Sequence, residues 1–298
     1  MAMPDRKILV QKPKELRNLS AKAVAALDKL PEEAWVYQPK FDGCSVIVLV
    51  GVNVVRIFSR EGKECLSMPH IAEHIRRHSH PNMVYFGEAY HPDKEFPEIS
   101  GMFRRQSPQA ELQFFAFDAV TLQEFRAGKA DRPYDHRVKA LRGISDKDAG
   151  VIPVGLYKSV EACQDWIDAA REYGYKLSLD GMMKKQAAGV WEAGDDREGR
   201  SLKLKDHISV DLKVLDVEEG QGKFTGMVGR MIVEWRGKPV PISGGKMTNA
   251  DRIFYFCEGF GRIKDSIVEV HALGLTPDGQ LREPRFQRIR DDKTEPSE

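Results

Sequence analysis

Net charge is almost missing from this chain. Lys+Arg 46 against Asp+Glu 45 over 298 residues leave +1. The field of the whole protein therefore does not announce a polyanionic partner, although a phosphate-binding face balanced by an acidic face elsewhere stays compatible with it. Cysteine is scarce too. Cys44, Cys65, Cys163 and Cys257 are scattered; no pair has zinc-knuckle spacing, and the set is not a secreted disulfide framework. That fits a reducing cytoplasm. No apolar run could span a bilayer, and residues 1–10 lack the apolar core of a signal peptide. A soluble cytoplasmic protein with no membrane partner is expected. No internal repeat is visible. What the chain does have is 41% hydrophobic and 31% charged residues, with length for two domains or one large one.

Along the chain, the start is basic and irregular, with Lys7, Lys12, Lys14 and Arg17. Ser20 can cap a helix to about Leu30, where Pro31 stops it. Residues 34–39, 45–50 and 54–59 read as strands of an antiparallel meander, with Asp42-Gly43 as the turn between the first two. A helix over 69–77 and a strand over 83–90 follow. Residues 92–109 hold Pro, Gly and paired Arg and read as an exposed loop. Residues 112–120 are apolar almost throughout, as in a strand buried on both faces. Helices are expected over 134–141 and 159–173, the second with the stripe Val160, Cys163, Trp166, Ile167, Ala170. Short strands are expected over 180–185 and 202–205. From His207 onward, short strands separated by Gly-rich turns, with one helix over 249–256, point to a small oligonucleotide-binding (OB) barrel. The domains are thus 1–206 and 207–298, and the tail 294–298 reads as disordered.

Several charged residues sit in or beside apolar strands, where they are costly unless they have a partner or a task. Lys40 precedes the Asp42-Gly43 turn; Glu88 ends an apolar strand; Asp118 follows Phe114-Phe115-Ala116-Phe117; Asp180 opens a short strand. Lys203 and Lys205 alternate with Leu202 and Leu204 and so share one face. Each alone is more readily a core ion pair or a solvated strand end. Lys-x-Asp-Gly by itself describes a surface hairpin with a solvated lysine. Their joint order is the signal.

That order resembles the covalent nucleotidyltransferases: ATP-dependent DNA ligases, RNA ligases and mRNA capping enzymes. The nucleophile motif is similar to Lys40-Phe41-Asp42-Gly43, and Ser-Arg-x-Gly to Ser59-Arg60-Glu61-Gly62. Gly87-Glu88, Phe117-Asp118, the acidic-Gly-x-x-x-Lys stretch Asp180 to Lys185, Lys203-Leu204-Lys205 and Arg290-Asp291-Asp292-Lys293 follow in the family's order. Seven short motifs in sequence cover nearly the whole chain, most like compact two-domain bacteriophage and bacterial ATP-dependent DNA ligases. The implied fold is α+β: an antiparallel-sheet, ATP-grasp-like nucleotidyltransferase domain followed by an all-β OB domain.

The resemblance implies nick sealing through lysyl-AMP and DNA-adenylate. Lys40 would be the nucleophile, its amine kept neutral by burial beside other cations. Gln38 would face the purine edge and Phe117 stack on it. Glu88, Lys185, Lys203 and Lys205 would hold the nucleotide; Arg290 and Lys293 would grip its β- and γ-phosphates. Glu88 and Asp180 would bind metal, Mg2+ or Mn2+. Arg60 would hold the nick 5′-phosphate. The stretch 100–106, an apolar tip with Arg104 and Arg105, would contact DNA backbone. ATP, nicked duplex DNA and a monomer in a prokaryotic or phage-infected cell are implied. Two positions depart from the pattern: Cys44-Ser45 stand where the family carries Arg, and Asp180 where it more often carries Glu. An RNA ligase, a capping-type enzyme, or a silent nucleic-acid-binding OB protein keeping the scaffold stays open.

Overall fold

The run Val46–Val50 is apolar at every position because both faces of its sheet are covered, which removes the alternation of a half-exposed strand. Val46, Val48 and Val50 enter one core with Ile71, Ile75, Phe103 and Phe114. Ile47 and Leu49 enter another with Phe86, Phe125 and Trp191. In this computed structural model, residues 9–204, 208–272, 274–276 and 278–297 are described, and the chain divides into two units, Met1–Leu204 and Lys205–Glu298.

The first unit is built on two main sheets. A five-stranded sheet runs Val55–Ser59, Cys44–Val50, Met83–Tyr90, Gln113–Thr121, Val151–Pro153; only the last pairing is parallel. A three-stranded antiparallel sheet runs Ser201–Leu204, Leu179–Gln186, Trp35–Phe41. The expected meander of the first three strands does not form. Trp35–Phe41 pairs with Leu179–Gln186 instead of Cys44–Val50, so Asp42-Gly43 is a crossover between sheets and not a hairpin. Pro39 lacks an N–H and suits the edge position this strand takes. Gly43 is required there: a Cβ would stand 2.3 Å from the Ala89 carbonyl oxygen and 2.8 Å from Glu88 Cγ.

Other differences have local causes. The first helix is Ala21–Leu27, capped by the Ser20 hydroxyl, which accepts from the Ala23 N–H at 3.2 Å. It ends short of Leu30 because the residue before Pro31 is disfavoured in helical geometry. The expected loop over 92–109 contains the helix Phe96–Arg104. Pro97 sits in its first turn, Glu95 and Glu98 form a capping box, and Ile99, Met102 and Phe103 are buried at helical spacing. The apolar tip is thus core, while Gly101, Arg104, Arg105 and Gln106 are exposed. In the helix Val160–Glu172, Cys163 and Ile167 are buried, whereas Val160 and Trp166 stay partly exposed.

The second unit is a closed barrel in the order Ile208–Glu219, Val228–Trp235, Lys238–Ser243, Arg285–Ile289, Ile267–Ala272. The expected strands are present, and Arg285–Ile289, directly before the Arg290–Lys293 motif, closes the barrel. Residues 294–297, expected to be disordered, return to it: the Asp211 and Ser297 backbones exchange hydrogen bonds of 2.8 and 2.9 Å.

A buried ion pair ties the first unit together. Arg137 and Asp118 expose 2% and 7% of their side chains. Arg137 Nε and Nη2 donate to the two Asp118 oxygens at 2.9 Å each, while Nη1 donates to the carbonyls of Arg132 (2.6 Å) and Gly189 (2.8 Å). Removing one partner strands the other charge. Arg137→Met is expected to lower stability in urea unfolding by about 3–5 kcal/mol. Adding Asp118→Asn is expected to recover part of that loss; a single-mutant cost under about 1 kcal/mol would show that the pair is dispensable.

Candidate active site

Alternation along three strands puts six side chains on one face of the smaller sheet: Gln38 and Lys40, Met183 and Lys185, Ser201 and Lys203. Gln38, Met183 and Lys203 form one cross-strand row; Ser201 and Lys185 lie in the next. All six line a cavity of about 450 Å³. The larger sheet supplies the facing wall. Ser45 is directly opposite Glu88 in its ladder, and both line the cavity with Phe86, Phe117 and Asp118. Ser45 and Glu88 make this wall polar at the end nearest the Asp42-Gly43 crossover, and farther along Phe86 is registered opposite Asp118. A third contribution comes from the chain start: residues 10–13 line the same space, and Gln11–Lys12 pairs in parallel with Gly194–Asp195.

Lys40 Nζ donates to Asp180 Oδ2 at 2.5 Å, with side-chain exposures of 24% and 11%. This differs from the expected surroundings of burial among cations: the nearest charge is a carboxylate, delivered by a strand 140 residues away. Glu88 is pushed up to about 8 by burial, with Lys40 and Arg60 pulling the other way and Asp42 adding to the rise. Lys185 is brought down to about 8, also by burial first. Its amine lies 4.7 Å from the Phe117 ring centre and 4.4 Å from that of Tyr134, and it donates to the Tyr134 oxygen at 3.2 Å. The Tyr134 hydroxyl is shared between Gln38 Oε1 (2.9 Å) and the Phe117 carbonyl (2.8 Å). One tyrosine therefore braces three of the lining residues.

A pocket with lysines on one wall and a carboxylate on the other suits a bound polyphosphate. The family described as "ATP dependent DNA ligase domain" matches residues 17–205, and "DNA ligase OB-like domain" matches 219–290. The chain belongs to the ATP-dependent DNA ligase family. A Sorangium cellulosum protein named "Probable DNA ligase" is 30% identical over 232 residues, covering 74% of this chain and 42% of that protein. The chain spans about two fifths of the length of this and other curated relatives. The solved structure titled "Pmar-Lig_PreS3" aligns with TM-score 0.73 and 22% identity over 95% of this chain and 68% of that one. A structure from work on Lig E DNA ligases aligns with TM-score 0.66 and 19% identity, over 94% and 98%. These two likenesses show the fold.

Within this ligase fold, the cavity gathers Gln38, Lys40, Arg60, Glu88, Phe117, Lys185 and Lys203. Lys205 lies outside the described residues. Asp180 touches Lys40 and is not among the lining residues. Arg60 is at the mouth, 64% exposed and paired with Glu61 at 2.8 Å. Arg104 and Arg105 are on the end of the Phe96–Arg104 helix and do not line the cavity. Arg290 and Lys293 belong to the second unit, where both are engaged by Asp211: Arg290 Nη1 reaches both carboxylate oxygens at 3.0 Å and Lys293 Nζ one of them at 2.5 Å. Sequence reasoning missed Tyr134, residues 10–13 and Ser201. Only Ser201 carried a signal, since the Lys203 alternation extends one step back to it.

Among the described residues no three His, Cys, Asp or Glu side chains cluster as a metal cage. The observation that bears on a divalent ion is Glu88, a carboxylate facing the cavity whose charge burial disfavours. A cation there would relieve it. One carboxylate plus substrate phosphates is a common Mg2+ ligand set, so the residues fit.

The Glu88 shift sets a sign for stability. Its folded value lies above its ordinary 4.5, at about 8. Between these values the folded chain holds a proton that the unfolded chain has released, so this group lowers stability progressively as pH rises through that window. Glu88→Gln removes the penalty. Without nucleotide or metal, the variant is expected to melt about 5 °C above wild type near pH 9, with the gap closing near pH 4.5. A gap independent of pH would contradict the burial penalty.

Proposed function

We propose that the chain is an ATP-dependent DNA ligase that seals 5′-phosphate/3′-hydroxyl nicks in duplex DNA, acting as a monomer with Mg2+ or Mn2+. The observation that carries this reading is the convergence of Lys40, Glu88, Lys185 and Lys203 on one cavity. In the first step the Lys40 amine attacks the ATP α-phosphorus. The P–N bond forms, the bond to the bridging oxygen breaks, and pyrophosphate leaves with the electron pair. Asp180, at 2.5 Å, stands where the amine's departing proton can be received. Lys203, with Lys205, offsets charge on the α-phosphate; Lys185 supports the nucleotide; Phe117 stacks on the adenine and Gln38 faces its edge. A divalent ion, when bound at Glu88, would offset phosphate charge; Asp180 could join it only by giving up Lys40.

In the second step a 5′-phosphate oxygen of the nick attacks the lysyl-AMP phosphorus and the P–N bond breaks, regenerating the amine. Arg60, exposed at the mouth, is assigned to that 5′-phosphate. The 3′-hydroxyl then attacks the 5′-phosphorus and AMP leaves. Arg290 and Lys293 are assigned to the β- and γ-phosphates on the resemblance alone. Arg104 and Arg105 are assigned to DNA backbone beside the nick.

Labelled ATP with divalent metal is expected to leave covalent AMP on the wild type and none on Lys40→Ala, and the labelled protein is expected to seal nicked DNA. No label from ATP or GTP would overturn the enzyme reading. Label from GTP alone would point to capping chemistry, and sealing of RNA but not DNA to an RNA ligase. Separately, Arg104→Ala with Arg105→Ala is expected to weaken nick binding and to flatten the slope of log K against log salt by about 1–2. An unchanged slope would remove these arginines from the DNA contact.

A further inference from the structure

Ser201 is 4% exposed, lines the cavity, and its hydroxyl has no hydrogen-bond partner among the described residues. Alanine would fill such a place without cost, whereas a buried hydroxyl left unpaired is destabilising. Its direction is not accidental. Asp196 accepts from the Ser201 N–H at 2.7 Å and from the Gly199 N–H at 3.1 Å, which anchors the start of the Ser201–Leu204 strand. Alternation then turns Ser201 to the same face as Lys203. Cross-strand, Ser201 opposes Lys185, yet the Lys185 amine is turned to Tyr134 and lies over the Phe117 ring. It does not satisfy the hydroxyl.

The register places Ser201 along the cavity. Ser201 shares its row with Lys185 and Val36, and Lys203 shares the next with Met183 and Gln38. Lys40 is four residues beyond Val36 on the same strand, about 13 Å at the usual rise. Lys40 marks the reacting end, so Ser201 stands toward the other, opposite Lys185, whose amine lies over the Phe117 ring; Trp191 also lines the cavity. A ring-lined end with a hydroxyl unpaired among the described residues suits a heteroaromatic base, not a phosphate.

We infer that the Ser201 hydroxyl hydrogen-bonds the edge of the nucleotide's purine ring and acts as an affinity-setting contact of the adenylation pocket. The inference rests on the ligase reading. Self-adenylation of wild type and Ser201→Ala is compared with ATP and with 2′-deoxyATP. For Ser201→Ala the apparent KM is expected to rise about five- to tenfold with both nucleotides, the saturated rate staying within about twofold of wild type because the contact is remote from the reacting phosphate. Melting without nucleotide is expected to be unchanged or slightly raised, while ATP protects the variant less. An unchanged KM overturns the inference. So does a loss seen with ATP and absent with 2′-deoxyATP, which would place the hydroxyl on the ribose. A fall in nucleotide-free melting together with the saturated rate would make Ser201 merely structural. A wild type that takes no label from ATP sinks the ligase reading itself; a labelled wild type with an unaltered variant sinks only this contact.

Discussion

Gly43 has no room for a side chain, since the Ala89 carbonyl and Glu88 Cγ stand where a Cβ would go. That contact lets the chain pass from one sheet to the other in two residues. The crossover joins the strand that ends in Lys40 to the strand that begins beside Ser45, and Ser45 is registered against Glu88. A lysine and a carboxylate from different sheets are thereby brought to one end of one cavity. The lining residues of the smaller sheet follow from alternation: once the edge strand Trp35–Phe41 is registered on Leu179–Gln186, Gln38, Met183 and Lys203 fall into a row.

The electrostatics of the cavity depend on burial more than on pairing. Glu88 and Lys185 are both moved toward about 8, one upward and one downward, and in each case desolvation leads. Each therefore lies close enough to neutral pH for a nearby charge of opposite sign to change its protonation state. Asp118 shows the contrasting case. It follows the Phe117 that lines the cavity, yet its carboxylate is fully engaged by Arg137. Both residues of the Phe-Asp motif thus border the cavity, but only Phe117 is left available to a ligand, while Asp118 is committed to Arg137. In the barrel, Asp211 gathers Arg290, Lys293 and Ser297, so the last motif is knotted by an acid that no motif contains.

Much of this was legible locally. Val46–Val50 and the strand Gln113–Thr121 read as buried strands because both sheet faces are covered. The OB barrel was readable from short strands between Gly-rich turns. The 96–104 helix was hidden by Pro97 and Gly101, which are loop residues by composition but compatible with a first turn and with an exposed helix face. The sheet pairing of Trp35–Phe41 was hidden for a different reason: a strand's own residues carry its edge character, through Pro39, but not the identity of its partner.

The amino-acid sequence by itself determined the chemical groups, their order and the strand faces they occupy, because side-chain type and alternation are local properties. It also carried the departure at Cys44-Ser45. Only the tertiary structure decided that Asp42-Gly43 is a crossover, that Asp180 meets Lys40, that Tyr134 braces Gln38, Phe117 and Lys185, and that the Ser201 hydroxyl is enclosed without a partner among the described residues. Those facts depend on register and packing between segments far apart in the chain, where close contact and burial, not local propensity, set the outcome.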